Sequence, residues 1–283
     1  NERLIGAFGW SNTGRSFDAA RGTLNVGDDI RLDLFAARLS APAAGPTMSQ
    51  NLYGIWGAWK VGGVSVDLIA LHDDNTRPIV AGSDSNKSLL ARNTFGFNIA
   101  SDVGPVNVLV EAIGQNGYGG VSDSLARKDL KAYLVSGTFA IAVDAGSGTK
   151  VVILGTVLSG DGSANDTINE TFNTLFATNH KFYGSMDYFP SLSADAGLVD
   201  LGVGVATNLF RNTRVSLDGH VFRAQRRSTD PFGTEVDGTI VWKGAAGFEL
   251  SGGASLFMPG EQLKARLGDA ARFWAFMSGQ WNF

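Results

Sequence analysis

Apolar and polar residues alternate along this chain in units of about ten residues, and that period limits the fold more than any other feature. In 29–39, Ile30, Leu32, Leu34 and Ala36 share one face of an extended strand, while Asp29, Arg31 and Asp33 share the other. Val64, Val66, Leu68 and Ala70 oppose Ser65 and Asp67, and Phe95, Phe97 and Ile99 oppose Arg92, Thr94 and Asn98. The pattern returns with Val106, Val108 and Val110 against Asn107 and Glu111, with Leu201 and Val203 against Asp200, and with Leu217 and Val221 against Asp218 and His220. A strand of about ten residues is the length that crosses a bilayer at a tilt, whereas strands of water-soluble sheets average about five or six.

The connections alternate as well. Short ones fall at 27–28, 62–63, 103–105, 146–148, 211–213 and 244–246; long ones fall at about 41–49, 74–88, 116–128, 160–196, 226–234 and 259–271. Tight turns at one end and long loops at the other are the plan of an up-and-down barrel in an outer membrane. Thirteen strands follow, near 14–26, 28–40, 50–61, 63–73, 88–101, 105–115, 129–144, 149–159, 197–209, 213–225, 235–243, 247–257 and 271–283, and the segment 2–10 supplies a fourteenth. The expected fold is an all-β, antiparallel transmembrane barrel of about 14 strands, with 12 and 16 as alternatives, forming one domain over 1–283.

Composition agrees. No apolar run approaches the ~18 residues of a membrane helix. The chain has no cysteine, which excludes disulfide scaffolds, thiolate metal sites and cysteine nucleophiles. A net charge of −4 offers no nucleic-acid surface. The 37 glycines serve turns and also sit inside strands, as at Gly202 and Gly204. No phosphate-cradling loop, metal-protease helix or nucleophile elbow is present, so no cofactor and no metal are expected. Asp161, Asn165, Asp166 and Glu170 lack the ordered spacing of a calcium loop.

Tyr53, Trp59, Tyr133, Phe139, Trp242, Phe248, Phe273 and Trp281 fall on outward faces near strand ends, where rings with polar handles settle at the headgroup level; Trp56, Trp274 and Phe276 have inward phase. The partner implied is outer-membrane lipid. The last segment, 271–283, alternates to a terminal Phe283 and resembles the C-terminal signal read by the bacterial barrel-insertion machinery.

Two blocks carry a family resemblance. Residues 3–18, RLIGAFGWSNTGRSFD, and 172–189, FNTLFATNHKFYGSMDYF, resemble the alginate-export family of outer-membrane proteins. The likeness is to the later portion of that family's pattern, so strands preceding residue 1 are expected to be missing from this chain. The resemblance implies a channel for polysaccharide export in the bacterial outer membrane, with a cation-rich lumen and a polar or anionic saccharide as solute.

The residues agree with that only in part. Cations assigned to the lumen or its rim are Arg31, Arg38, Lys60, Arg92, Lys131, Arg214, Arg223, Lys243 and Arg272; interleaved anions are Asp29, Asp33, Asp67, Glu111, Asp200, Asp218, Glu235, Asp237 and Glu249. A polyanion needs a continuous positive track, whereas a mixed ladder suits neutral or zwitterionic solutes, or simply pairs across strands. The 160–196 loop is the candidate gate, with Phe172, Phe176, His180, Lys181, Tyr183 and Asp187 as gating residues; it reads as a lumenal plug, an extracellular cap or an added hairpin at Lys181–Phe189. His220, with Asp218 and Ser216 on one face, imitates an acid–base–hydroxyl set, but a polar lumen ladder explains it better than an outer-membrane enzyme does. A structural or engineered minimal barrel with a blocked lumen is the remaining alternative. The sequence leaves the oligomeric state open, with a monomer favoured.

Overall fold

The computed structural model describes residues 2–11, 13–39, 49–78, 87–120 and 127–281. The wall begins with β1 (Asp18–Val26), β2 (Ile30–Leu39), β3 (Ser49–Val61), β4 (Val64–Pro78), β5 (Lys87–Val103), β6 (Val106–Gly120), β7 (Arg127–Asp144) and β8 (Thr149–Leu158). After the two-residue β9 (Ile168–Asn169) it continues with β10 (Leu198–Phe210), β11 (Thr213–Arg223), β12 (Pro231–Lys243) and β13 (Phe248–Pro259), a short helix α1 (Glu261–Leu267), and β14 (Arg272–Trp281). Each strand pairs antiparallel with the one before it, except that β10 pairs with β8; β9 lies off this path, parallel to β7.

The short turns fall where expected, and Gly27, Gly62, Gly63, Gly104 and Gly148 take the positive φ that such turns require. Residues 40–48, 79–86 and 121–126, on which three of the expected long connections fall, and the terminal Phe283 lie outside the described residues. Among the described residues the sheet holds fourteen strands, thirteen along the wall and the two-residue β9 beside β7, and the segment 2–10 is not one of them. That segment leaves the wall and turns into the lumen, where its one sheet-like contact is a parallel bridge from Ile5 to Phe176. Leu4 and Gly6 are buried inside the molecule, where a membrane-crossing strand would have placed them in the wall. Among the described residues no ladder joins β1 to β14, and these two strands flank the seam of the wall.

Register fixes which side chains share a level. Leu34, Ile55, Ala70, Phe95, Gly114 and Tyr133 form one outward row across β2–β7, and Leu32, Gly57, Leu68, Phe97, Ala112 and Val135 form the row below. Most of the bulky members are exposed, as a lipid-facing band must be. Toward the short turns, Phe248 meets Trp242 and Trp281 edge-on at centroid distances of 6.1 and 6.0 Å, an aromatic girdle at that interface.

Strands β3–β7 run to 13–18 residues, while β8 and β10–β14 have 10–13. The extra length lies at the long-loop end, and there the outward face becomes polar. Tyr53, His72, Asn93, Asn116 and Lys131 stand in one row. His72 Nδ1 is 2.8 Å from Asn93 Oδ1, and Asn93 Nδ2 donates to Asn116 Oδ1 at 2.9 Å. Such groups are too costly for hydrocarbon, so this row marks the upper limit of the apolar band.

Candidate functional site

The lumen is filled across its middle by a plug made of two pieces of chain, the N-terminal segment and the 159–197 loop. They are stitched by backbone bonds: Phe176 donates to Leu4 O at 2.8 Å, Gly6 to Phe176 O at 2.9 Å and Thr178 to Glu2 O at 2.9 Å. Arg15 reaches back to the Phe176 carbonyl, and Lys181 pairs with Glu2. Within the loop, 179–181 and 191–196 form 3-10 turns, and the described residues 181–189 form no hairpin.

The plug touches the wall around its circumference. On the β6–β7 side, Gln115 exchanges two bonds with the backbone of Asn173, at 2.7 and 2.9 Å. On the β11–β13 side, Phe189 stacks on Phe222 at 4.3 Å and packs near Phe232 and Phe257, and Tyr188 meets Phe257 edge-on at 4.9 Å. Near the seam, Phe17 meets Phe176 at 5.7 Å, and His180, stacked on Trp10 at 4.0 Å, faces Trp274 of β14 at 6.0 Å. Phe172, Tyr183 and Phe189 are buried with Leu52, Leu71, Leu134 and Leu158 of the wall. Each fully buried large side chain contributes about 1.5–3 kcal/mol, so aromatic burial is what holds the plug in place.

Arg3 ties the plug to the wall by charge. Its Nε donates to Glu111 Oε2 at 2.5 Å, its Nη2 to Ser136 Oγ at 2.9 Å and its Nη1 to the Tyr183 hydroxyl at 3.2 Å, while the guanidinium lies 4.2 Å over the Phe182 ring. Tyr183 is fully enclosed, and burial pushes its phenol above the ordinary value, so it stays neutral beside the cation. Higher in the lumen, Arg92 makes a two-pronged bond to Asp73, at 2.9 and 2.7 Å. Near the seam, Asp33 accepts from Arg21 and Arg31 at 3.1 and 3.0 Å.

The opposite wall differs. Asp218 of β11 faces Asp237 of β12 directly, and His220 faces Glu235. His220 Nδ1 lies 2.9 Å from Asp200 Oδ1 on β10, not against Asp218, so the paper triad with Ser216 is not assembled. The plug docks here through backbone amides: Met186 N–H donates to Glu235 Oε1 at 2.8 Å and Ser185 N–H to Asp237 Oδ2 at 3.3 Å. Gly184 makes that approach possible, because its φ is +81° and an added Cβ would stand 2.6 Å from Glu235 Oε1.

The sequence-assigned lumen residues thus separate. Arg31, Arg92, Asp33, Asp67, Glu111, Asp218 and His220 face inward, and Lys60 and Arg214 have inward phase near the short turns. Arg38, Lys131 and Arg223 do not line the lumen: they share phase with the outward residues Leu34, Tyr133 and Val221 and sit exposed at the long-loop rim. Phe172, Phe176, His180, Lys181, Tyr183 and Asp187 all belong to the plug, with Asp187 holding His180 Nδ1 at 3.2 Å. Arg3 and Asp73 were not singled out by sequence reasoning. Asp73 shares phase with Asp67, a usable signal; nothing local marks Arg3.

The plug divides the open space. Above it, toward the long loops, a cavity of about 520 Å³ is lined by Arg92, Gln115, Asn173 and Phe176. Below it are chambers of about 420 Å³, bounded by Asp67, Asn98 and Glu111, and about 360 Å³, bounded by Arg3, Asp218, His220 and Asp237. The alginate export family profile matches residues 1–192, most of the chain and both pieces of the plug. The chain belongs to the alginate export family. It is accordingly a channel of the bacterial outer membrane for a polar solute or polysaccharide. No curated protein sequence matches it. Among solved structures it is similar to Pseudomonas aeruginosa OccK11 (OpdR), at 9% identity and a TM-score of 0.42, covering 89% of this chain and 78% of that one.

Proposed function

We propose that this alginate export family member passes a neutral or zwitterionic saccharide, and that the plug is its gate. The observation that carries the reading is the state of the lumenal cations. Arg3, Arg92 and Arg31 each hold a carboxylate, at Glu111, Asp73 and Asp33, so they do not form the free positive track a polyuronate requires. The solute path runs past Asp67, Glu111 and Asp218, and opens when the segment carrying Phe172, Phe176, His180, Lys181, Tyr183 and Asp187 shifts with residues 2–15. His220 serves as a wall residue held by Asp200. Lipid covers the outward band, the chain acts as a monomer, and Phe283 engages the insertion machinery.

Liposome flux tests the solute class. Neutral gluco-oligosaccharides should enter vesicles containing the protein faster than uronate oligosaccharides of equal length. Faster entry of the uronates would overturn the solute assignment.

A further inference from the structure

Open space between the N-terminal segment and β1–β4 carries an inference that deepens the saccharide reading and rests on it. We infer that Trp56 and Asp67 form a subsite for one pyranose ring, with the indole as stacking platform and the carboxylate as hydroxyl acceptor. The cavity there has a volume of about 580 Å³ and is lined by Ile5 and Phe17 from the N-terminal segment and by Phe35, Leu52 and Trp56 from the wall. Trp56 and Asp67 also border the chamber of about 420 Å³ below the plug, so the two spaces share this pair.

Register places the groups. Trp56 stands between Asp33 of β2 and Ile69 of β4. Two residues nearer the short turns, Arg31, Ala58, Asp67 and Asn98 form an inward row. On the other side of Trp56, Phe35 lays its ring over Gly54, where an added Cβ would stand 2.1 Å from the ring. Two of these groups are unused by the fold. Trp56 makes no ring or cation contact among the described residues, whereas Phe189, Phe222 and Phe257 pack on one another. Asp67 makes no hydrogen bond or salt bridge among the described residues, whereas Asp33 and Glu111 both hold arginines. Both Trp56 and Asp67 are partly buried.

A pyranose ring has apolar C–H faces and a rim of hydroxyls. The indole offers it a broad flat apolar face, and a carboxylate accepts from two hydroxyls at once. Arg31, held by Asp33 with its side chain still half exposed, adds donors in the same row as Asp67. A mainly apolar cavity with a few polar groups at one edge is the usual form of a small-molecule site, and about 580 Å³ lies within the range of such sites. A metal ion needs several converging oxygens, and among the described residues no cluster is spaced for that.

Isothermal titration of the purified full chain, in a zwitterionic detergent without a sugar head group, tests this with maltotetraose as the probe. The wild type should bind it with a shift in tryptophan emission. Trp56→Phe keeps a stacking face and should bind within about three-fold but without that shift, and Trp56→Leu should bind at least about ten-fold more weakly. Asp67→Asn keeps an acceptor oxygen and should lose no more than about three-fold, while Asp67→Leu should lose about ten-fold. Each variant is read only where the heat-modifiable gel shift of the folded barrel persists. Hydroxyl-radical footprinting of the wild type needs no variant: maltotetraose should shield Trp56 and leave Trp242 and Trp281 unchanged. No binding to the wild type, an unshielded Trp56, or wild-type affinity in Trp56→Leu would overturn the proposal. Binding is read without flux, so faster uronate entry into vesicles removes the neutral-solute assignment and not this subsite, whereas an unshielded Trp56 in a chain that prefers neutral saccharides removes only the subsite.

Discussion

The two sides of the lumen handle charge in opposite ways. On the β2–β7 side every buried carboxylate named above has an arginine: Asp33 takes Arg21 and Arg31, Asp73 takes Arg92, and Glu111 takes Arg3 from the plug. On the β10–β12 side Asp200 has His220, and Glu235 and Asp237 take backbone amides from the plug, with no arginine or lysine salt bridge among the described residues. The first side uses arginine pairs to hold strands and plug together; the second gathers its carboxylates around His220 and the plug's amides.

The largest expected effect breaks the paired side. Asp73→Ala strands Arg92 in the buried lumen and should cost about 3–5 kcal/mol, read as a lower urea midpoint for loss of the folded gel band. Arg3→Ala comes next. It removes the plug's charged tie and its seat over Phe182, and should loosen the plug by about 2–3 kcal/mol, seen as more frequent openings in planar bilayers. Gly184→Ala sharpens the comparison from the acid side, since the added Cβ collides with Glu235 and forces a left-handed residue; a loss of about 1–2 kcal/mol in plug docking should raise open probability less than Arg3→Ala does. The smallest effect belongs to Lys131→Ala. Its side chain points away from the lumen, so stability should stay within about 0.5 kcal/mol and the ion selectivity should not move. A selectivity change in Lys131→Ala equal to that of Asp218→Asn would erase the distinction between lumen and rim.

Much of this architecture is written in local periodicity. Each strand needs only its own alternation and a glycine turn, so β2, β4, β6 and β11 and the short connections are legible residue by residue. The rim cations were readable too: Arg38, Lys131 and Arg223 are in strict phase with Ala36, Tyr133 and Val221, and charge alone drew them to the lumen. The N-terminal segment misleads for a physical reason. Residues 4–8 are an unbroken run without charges that reads as part of a strand, but what buries Leu4 and Gly6 is a loop about 170 residues later, and no local pattern encodes that pairing. The acid chamber is similar. Asp200, Asp218, Glu235 and Asp237 are visible as scattered anions, but their convergence depends on the registers of three strands and on the amides of Ser185 and Met186.

In the proposed gate, the N-terminal segment and the 160–196 loop together close an outer-membrane pore. Planar-bilayer conductance of the wild type against a variant in which residues 172–189 are replaced by a short glycine–serine linker tests it most directly. The wild type should give a small, rarely opening current and the variant a large, steady one, with both chains keeping the heat-modifiable shift of a folded barrel. Equal currents from two folded proteins would contradict it.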